Sequence, residues 1–178
     1  MALTLKSVSL QSKKNVEKIL IIGEDLAILY RSIKKVFPNA HYIFSNKSQK
    51  ILNLFDKNFD SNFSIKTKVL DIFNGSSLTD FYLEFGKFDL IILSGIFSEY
   101  NLNTKKKRNS ILFLYKHFLN FDGLFSIFDS KKELSEDLIN LLKKMRYFRK
   151  IIKSYQEESS LLQYLIFIKK NRLKLFGD

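Results

Sequence analysis

The chain of 178 residues has no cysteine, no tryptophan, a single proline, six glycines and two histidines. Without cysteine there are no disulfides, no thiolate metal sites and no cysteine nucleophile. Two histidines, His41 and His117, are too few for a histidine-rich metal centre or a proton relay, so no metal is expected. One proline and six glycines argue against a loop-rich sandwich with many tight turns. No apolar run approaches the roughly eighteen residues of a membrane span, and no membrane partner is expected. Acids are also scarce: 18 stand against 30 lysines and arginines, a formal charge of +12.

What is present is globular. Hydrophobic residues make up 46% and charged residues 27% of the chain, well away from the disordered class. This length holds one domain and buries about two thirds of its unfolded surface. Residues 1–17 are expected to be a leader, 18–171 the domain and 172–178 a tail. The first fourteen residues carry three lysines, three serines and no acid. They read as a leader of a cytoplasmic protein, with an organellar presequence as the alternative. The excess charge has two readings. It comes from 25 lysines and 5 arginines in a chain crowded with Phe, Ile, Asn and Tyr, as an AT-rich coding sequence would produce. It also suits an anionic partner such as RNA, if the cations cluster.

Apolar runs of strand length alternate with helical patterns. Residues 18–23 (KILIIG) predict a buried strand, 25–37 a helix stopped by Pro38, 41–45 a second strand and 48–55 a second helix. A third strand is predicted within 63–72, and a helix over 76–84 capped by Ser-Ser and Thr-Asp. Residues 88–93 (FDLIIL) are the most apolar run and belong mid-sheet. A helix follows over 107–120, then an Asp122-Gly123 turn into a strand over 124–128, and a helix over 132–145. Two closing stretches, 147–155 and 161–169, read as an antiparallel hairpin. Strand–helix alternation predicts a three-layer α/β/α domain with a mostly parallel seven-stranded sheet. Ligands of such sheets sit beyond the carboxyl ends of the strands.

The order and spacing of these pieces resemble the class I S-adenosylmethionine-dependent methyltransferases, a Rossmann-like family, from residue 18 to 171. The segment ILIIGEDLAILYRSIKKVFPNAHYIFSNKS lies along that family's first motif without a gap. The resemblance places Gly23, Asp25 and Ala27 at the three positions of the glycine-rich turn. It places Asn46 at the ribose-binding acid, Asp71 at the residue contacting adenine, and Ser94 at the head of the substrate-facing loop. LYKHFLNFDGLFSI resembles the helix, turn and glycine leading to the fifth strand.

The departures fall at the chemistry. Asp25 adds a charged side chain where the backbone should approach the cofactor, and Asn46 lacks the charge of a paired acid. Two weakened contacts of about 1–2 kcal/mol each cost roughly ten- to a thousand-fold in affinity. A glycine-rich dinucleotide turn and a P-loop are both missing. The Pro-Pro-aromatic clamp of base-amino methyltransferases is replaced by Ser94-Gly95-Ile96-Phe97. Lys105, Lys106, Lys107, Arg108, Lys131 and Lys132 fall on the rim of the expected pocket and suit an anionic substrate or RNA. Glu99 and Tyr100 lie on the substrate-side loop, and a second basic-aromatic cluster spans 143–150 (KKMRYFRK). His117 reads as structural, and His41 stands at the end of its strand away from catalysis. Two functions follow: methyl transfer to an anionic or RNA substrate with a weakened S-adenosylmethionine site, or a catalytically inactive methyltransferase-like subunit. The latter would serve as an RNA-binding or structural part of a larger protein or ribonucleoprotein assembly. Restoring Gly at Asp25 and Asp at Asn46 distinguishes them through cofactor affinity.

Overall fold

A computed structural model describes residues 15–24, 26–57, 65–97, 103–130, 138, 140, 151–156 and 162–168. The elements are β1 Lys18–Gly23, α1 Leu26–Lys34, β2 His41–Asn46, α2 Gln49–Lys57, β3 Ile65–Val69, α3 Gly75–Phe85, β4 Phe88–Ser94, α4 Thr104–Phe113, β5 Leu119–Ser130, β6 Ile151–Gln156 and β7 Leu162–Ile168. The strands run in the order β3-β2-β1-β4-β5-β7-β6. Strands β1 to β5 pair in parallel, which makes the domain a Rossmann-like α/β sheet. Strand β7 runs antiparallel to β5 and to β6.

Side chains alternate across the central strands and so build two cores. Leu20, Ile22, Ile91 and Leu93 pack beneath α3 and α4 with Leu78, Phe81 and Ile111. Ile19, Ile21, Leu90 and Ile92 meet α1 and α2 on the other face through Leu29, Ile33, Leu52 and Phe55. Every residue of β4 is buried, as its apolar run requires of a middle strand.

Several boundaries differ from the sequence expectation for local reasons. Helix α1 stops at Lys34, where the amides of Val36 and Phe37 both donate to Ile33 O, because Pro38 disfavours helix in the residue before it. Helix α3 is capped by Asn74, whose Oδ1 accepts the amides of Ser76 and Ser77, and not by the serines themselves. Helix α4 starts at Thr104, where Asn103 Oδ1 accepts the Lys106 amide at 2.9 Å. It ends in a π-helical turn, Leu114–Phe118, and β5 begins at once. Leu119 pairs with Phe88 and Leu124 with Leu90, so residues 120–123 loop out of the ladder. Asp122 turns that loop at φ +59°, and a Cβ on Gly123 would lie 2.9 Å from Asn120 O. The helix expected over 132–145 falls outside the described residues except at 138 and 140, and Leu138 is buried.

Asp89 fastens the amino ends of the central strands. Its Oδ2 accepts the amides of Glu17 and Lys18, both at 3.1 Å, and its Oδ1 accepts Asn120 Nδ2 at 2.8 Å. Lys18 extends beside it, with Nζ donating to Phe85 O and lying 5.1 Å from the Phe88 ring centre. Burial, then the nearby Lys66 ammonium, hold the Lys18 pKa below its ordinary value against the pull of Asp89.

Candidate cofactor site at the carboxyl ends of the strands

The sheet reverses its winding between β1 and β4, and the crevice outside their carboxyl ends is where such folds hold ligands. Gly23 closes β1 at φ +128°, paired with Ser94 of β4. A Cβ there would lie 1.8 Å from Ser94 O, so only glycine fits. The Glu24 amide donates to that same carbonyl at 2.9 Å. Ser94 is buried behind the turn. The loop after β4 is held by β5: the Gly95 amide donates to Phe128 O at 2.9 Å, and the Phe97 amide to Asp129 Oδ2 at 2.8 Å. Gly95 turns at φ +65°, and the Glu24 side chain folds over it.

Asn46 ends β2 at 2% exposure. Its Nδ2 donates to Gly23 O at 2.8 Å and its Oδ1 accepts the Ser48 amide at 2.7 Å. The amide thus ties the end of β2 to the turn after β1, a bond that a carboxylate cannot make because it has no donor. Asp71 lies in the loop after β3, half-buried, and its Oδ1 accepts the Phe73 amide at 2.9 Å. Ala27 sits in α1, packed against the core beneath that helix.

The cleft at this point brings together Gly23 and Asn46 with Ile22, Leu70, Ile72 and Ile96. Its volume is about 20 Å³, room for one water molecule. Asp71, Ser94 and Ala27 stand behind or beside it and do not line it. Asp25, Glu99, Tyr100, Lys131, Lys132 and the cluster at 143–150 lie outside the described residues. Ile96, whose side chain would lie 3.1 Å from a Cβ on Gly23, and Glu24 over Gly95 belong to the loops after β4 and β1 where the sequence expects a ligand, but the sequence assigned neither a role in the site.

The four cations of the rim divide. Lys105 and Lys106 are exposed and Arg108 is half-buried with its guanidinium against Asn109 Oδ1. Lys107 turns inward at 8% exposure, its Nζ 6.0 Å from the Phe97 ring centre. This corrects the sequence view of Lys107 as a surface cation: its position on α4 points it at the β4 loop. A larger hollow of about 520 Å³ opens between Lys18, His41, Ile65, Lys66 and Phe85, at the amino ends of the strands and away from the cofactor crevice. His41 is exposed there, and His117 lies on the surface with its ring 4.5 Å from that of Phe113. No three His, Asp or Glu side chains among the described residues gather to hold a metal, and no helix among them is long and apolar enough to cross a membrane.

For an adenosyl cofactor the fit is divided. The backbone at Gly23 offers the close approach such a group needs. On the ribose side Asn46 spends one N–H and one lone pair of its amide on the backbone and keeps one of each, beside a narrow cleft.

No family model and no curated protein matches the sequence. Solved structures do match the fold. The carbon methyltransferase CurJ superposes with a TM-score of 0.70 at 12% identity, over 96% of this chain and 54% of that one, so this chain spans about half of its length. The fibrillarin pre-rRNA processing protein of Methanococcus jannaschii gives 0.69 at 14% identity, over 89% and 69%. The N-methyltransferase NodS of Bradyrhizobium japonicum, in complex with S-adenosylhomocysteine, gives 0.64 at 16% identity, over 96% and 86%. Strand order, switch point and these superpositions agree: the chain has the fold of the class I S-adenosylmethionine-dependent methyltransferases.

Proposed function

We propose that this chain is a methyltransferase-type protein that works by binding an anionic partner, RNA above all, as a non-catalytic subunit of a larger assembly. One observation carries the reading: Asn46, at the position that should hold the cofactor's ribose, is bonded into the backbone at both ends of its amide. The cations of α4 supply the attraction for phosphate. The antiparallel pair β6–β7 beside β5 completes the seven-stranded order of the methyltransferase type and leaves a full scaffold for docking.

A second reading, methyl transfer to an anionic or RNA substrate, is favoured by the retained cradle at Gly23 and by Asp71 after β3. In that reading, the family resemblance assigns Gly23, Asp25, Ala27, Asn46, Asp71 and Ser94 to a weakened cofactor site. Titration calorimetry of the purified chain with S-adenosylmethionine, and then S-adenosylhomocysteine, separates the two. The non-catalytic reading expects no heat of binding at millimolar ligand. Micromolar binding would overturn it and make transfer the working function.

A further inference from the structure

An open groove of about 380 Å³ runs between α3 and α4, within the roughly 300–1,000 Å³ range of small-ligand sites. Its walls carry Phe73, Gly75, Lys106, Asn109, Ser110 and Phe113. Ile72 lines both this groove and the narrow cleft beside Gly23, so the two are neighbours on one rim.

The lining is mixed in a way a buried core is not. It has two aromatic rings, a cation, an amide and a hydroxyl, and no acid among the described residues. Phe113 is 39% exposed. Its ring leads to those of His117 at 4.5 Å and Phe118 at 6.2 Å, and Tyr82 meets Phe118 at 5.5 Å. Lys105 and Lys116 are exposed on the same helical segment. The acid of α3 nearest its far end, Glu84, is paired with Lys68 at 2.7 Å.

The charges of α4 also stand at the wrong end for stability. Helix dipoles favour cations in the last turn, where α1 carries Arg31 and Lys34 and α2 carries Lys57. Helix α4 places Lys105, Lys106 and Lys107 in its first turn, against Lys116 in the π-helical turn that ends it. Phosphates docking there relieve that repulsion.

We propose that this groove docks single-stranded RNA. A base stacks on Phe113, the Asn109 Nδ2 and the Ser110 hydroxyl meet its polar edge, and Lys106 with the exposed Lys105 takes the adjacent phosphates. A single strand is required because stacking platforms need unpaired bases. The proposal rests on the RNA-binding reading above for its choice of polymer.

Fluorescence anisotropy with a labelled twelve-nucleotide RNA of mixed sequence tests it, using the full chain at two salt concentrations. Lys106→Glu is expected to weaken binding about tenfold at low salt and to lower the salt slope by about 1. An acid in a helix's first turn suits the dipole, so that variant folds. Phe113→Leu, which keeps an apolar side chain and removes the ring, is expected to weaken binding about fivefold and leave the salt slope unchanged. Lys50→Glu, on the exposed side of α2, is expected to change little. Equal losses from Lys50→Glu and Lys106→Glu, or unchanged binding by Phe113→Leu, would overturn the groove while leaving RNA binding standing. Duplex RNA or single-stranded DNA binding as tightly as the RNA strand would overturn it too. A wild-type chain that binds no RNA sinks the functional reading along with the groove.

Discussion

Gly23 and Asn46 meet across one hydrogen bond, and each is held in place by geometry that a near neighbour in chemistry lacks. Gly23→Ala puts a methyl group into the Ser94 carbonyl at a backbone angle that L residues resist, and is expected to cost about 3–5 kcal/mol. Gly75→Ala provides the contrast. Nothing lies within 4 Å of its added Cβ, and the residue opens a helix, so stability should hold or rise by up to about 1 kcal/mol. Urea denaturation of both variants reads the difference directly. Asn46→Asp removes the donor to Gly23 O and sets a carboxylate beside it, at an expected loss of about 1–3 kcal/mol in the same assay. The change that the family resemblance calls a restoration is thus costly unless the turn rearranges to use it. The sequence showed Asn46 as a missing acid. That the amide has become a brace depends on which backbone carbonyl lies opposite, and such pairing across β1 and β2 leaves no mark in spacing.

At the scale of elements, Asp89 joins the start of β1 to the outward loop of β5 through three bonds. Asp89→Ala leaves two amides and one side-chain donor without their acceptor, and should lower stability by about 2–4 kcal/mol. Asp89→Asn keeps an acceptor and should lose less, which thermal melts of the pair would resolve. The existence and order of β1 to β5 were legible because buried parallel strands are written as short continuous apolar runs, KILIIG and FDLIIL above all. The passage from α4 to β5 was not. The π-helical turn and the loop at 120–123 let an apolar stretch leave a helix and join a strand without a linker, so its periodicity shows no break. Lys107 was misplaced for the same kind of reason: four consecutive cations give no hint of which one faces an aromatic ring.

Over the whole molecule, burial raises the pKa of Tyr30, Tyr42 and Tyr115, and Tyr42 also donates to Phe37 O at 2.6 Å. A group whose pKa rises on folding stabilises fully below its unfolded value and loses that contribution as pH climbs through the folded one. The tyrosine contribution is therefore complete below about pH 10 and falls above it. Melting temperatures taken from pH 8 to 11.5, with tyrosinate absorbance as a second readout, should drop on the alkaline side. Tyr42→Phe should flatten that drop. The fold was readable from order and pattern, whereas the site was readable only as a location. Its narrowness comes from Ile96 and Ile72 leaning in from loops whose conformation the sequence leaves open. The position of β1 in the sheet has a consequence during synthesis. One side of β1 takes β2, which follows directly, but the other side waits for β4, and Glu17 reaches Asp89 across 72 residues. At about 5–20 residues per second, the nascent chain carries β1 with one edge of unpaired backbone N–H and C=O groups for roughly four to fourteen seconds. During that interval its exposure to neighbouring chains on a polysome, or its capture by a chaperone, is decided by the rate of translation between those two points.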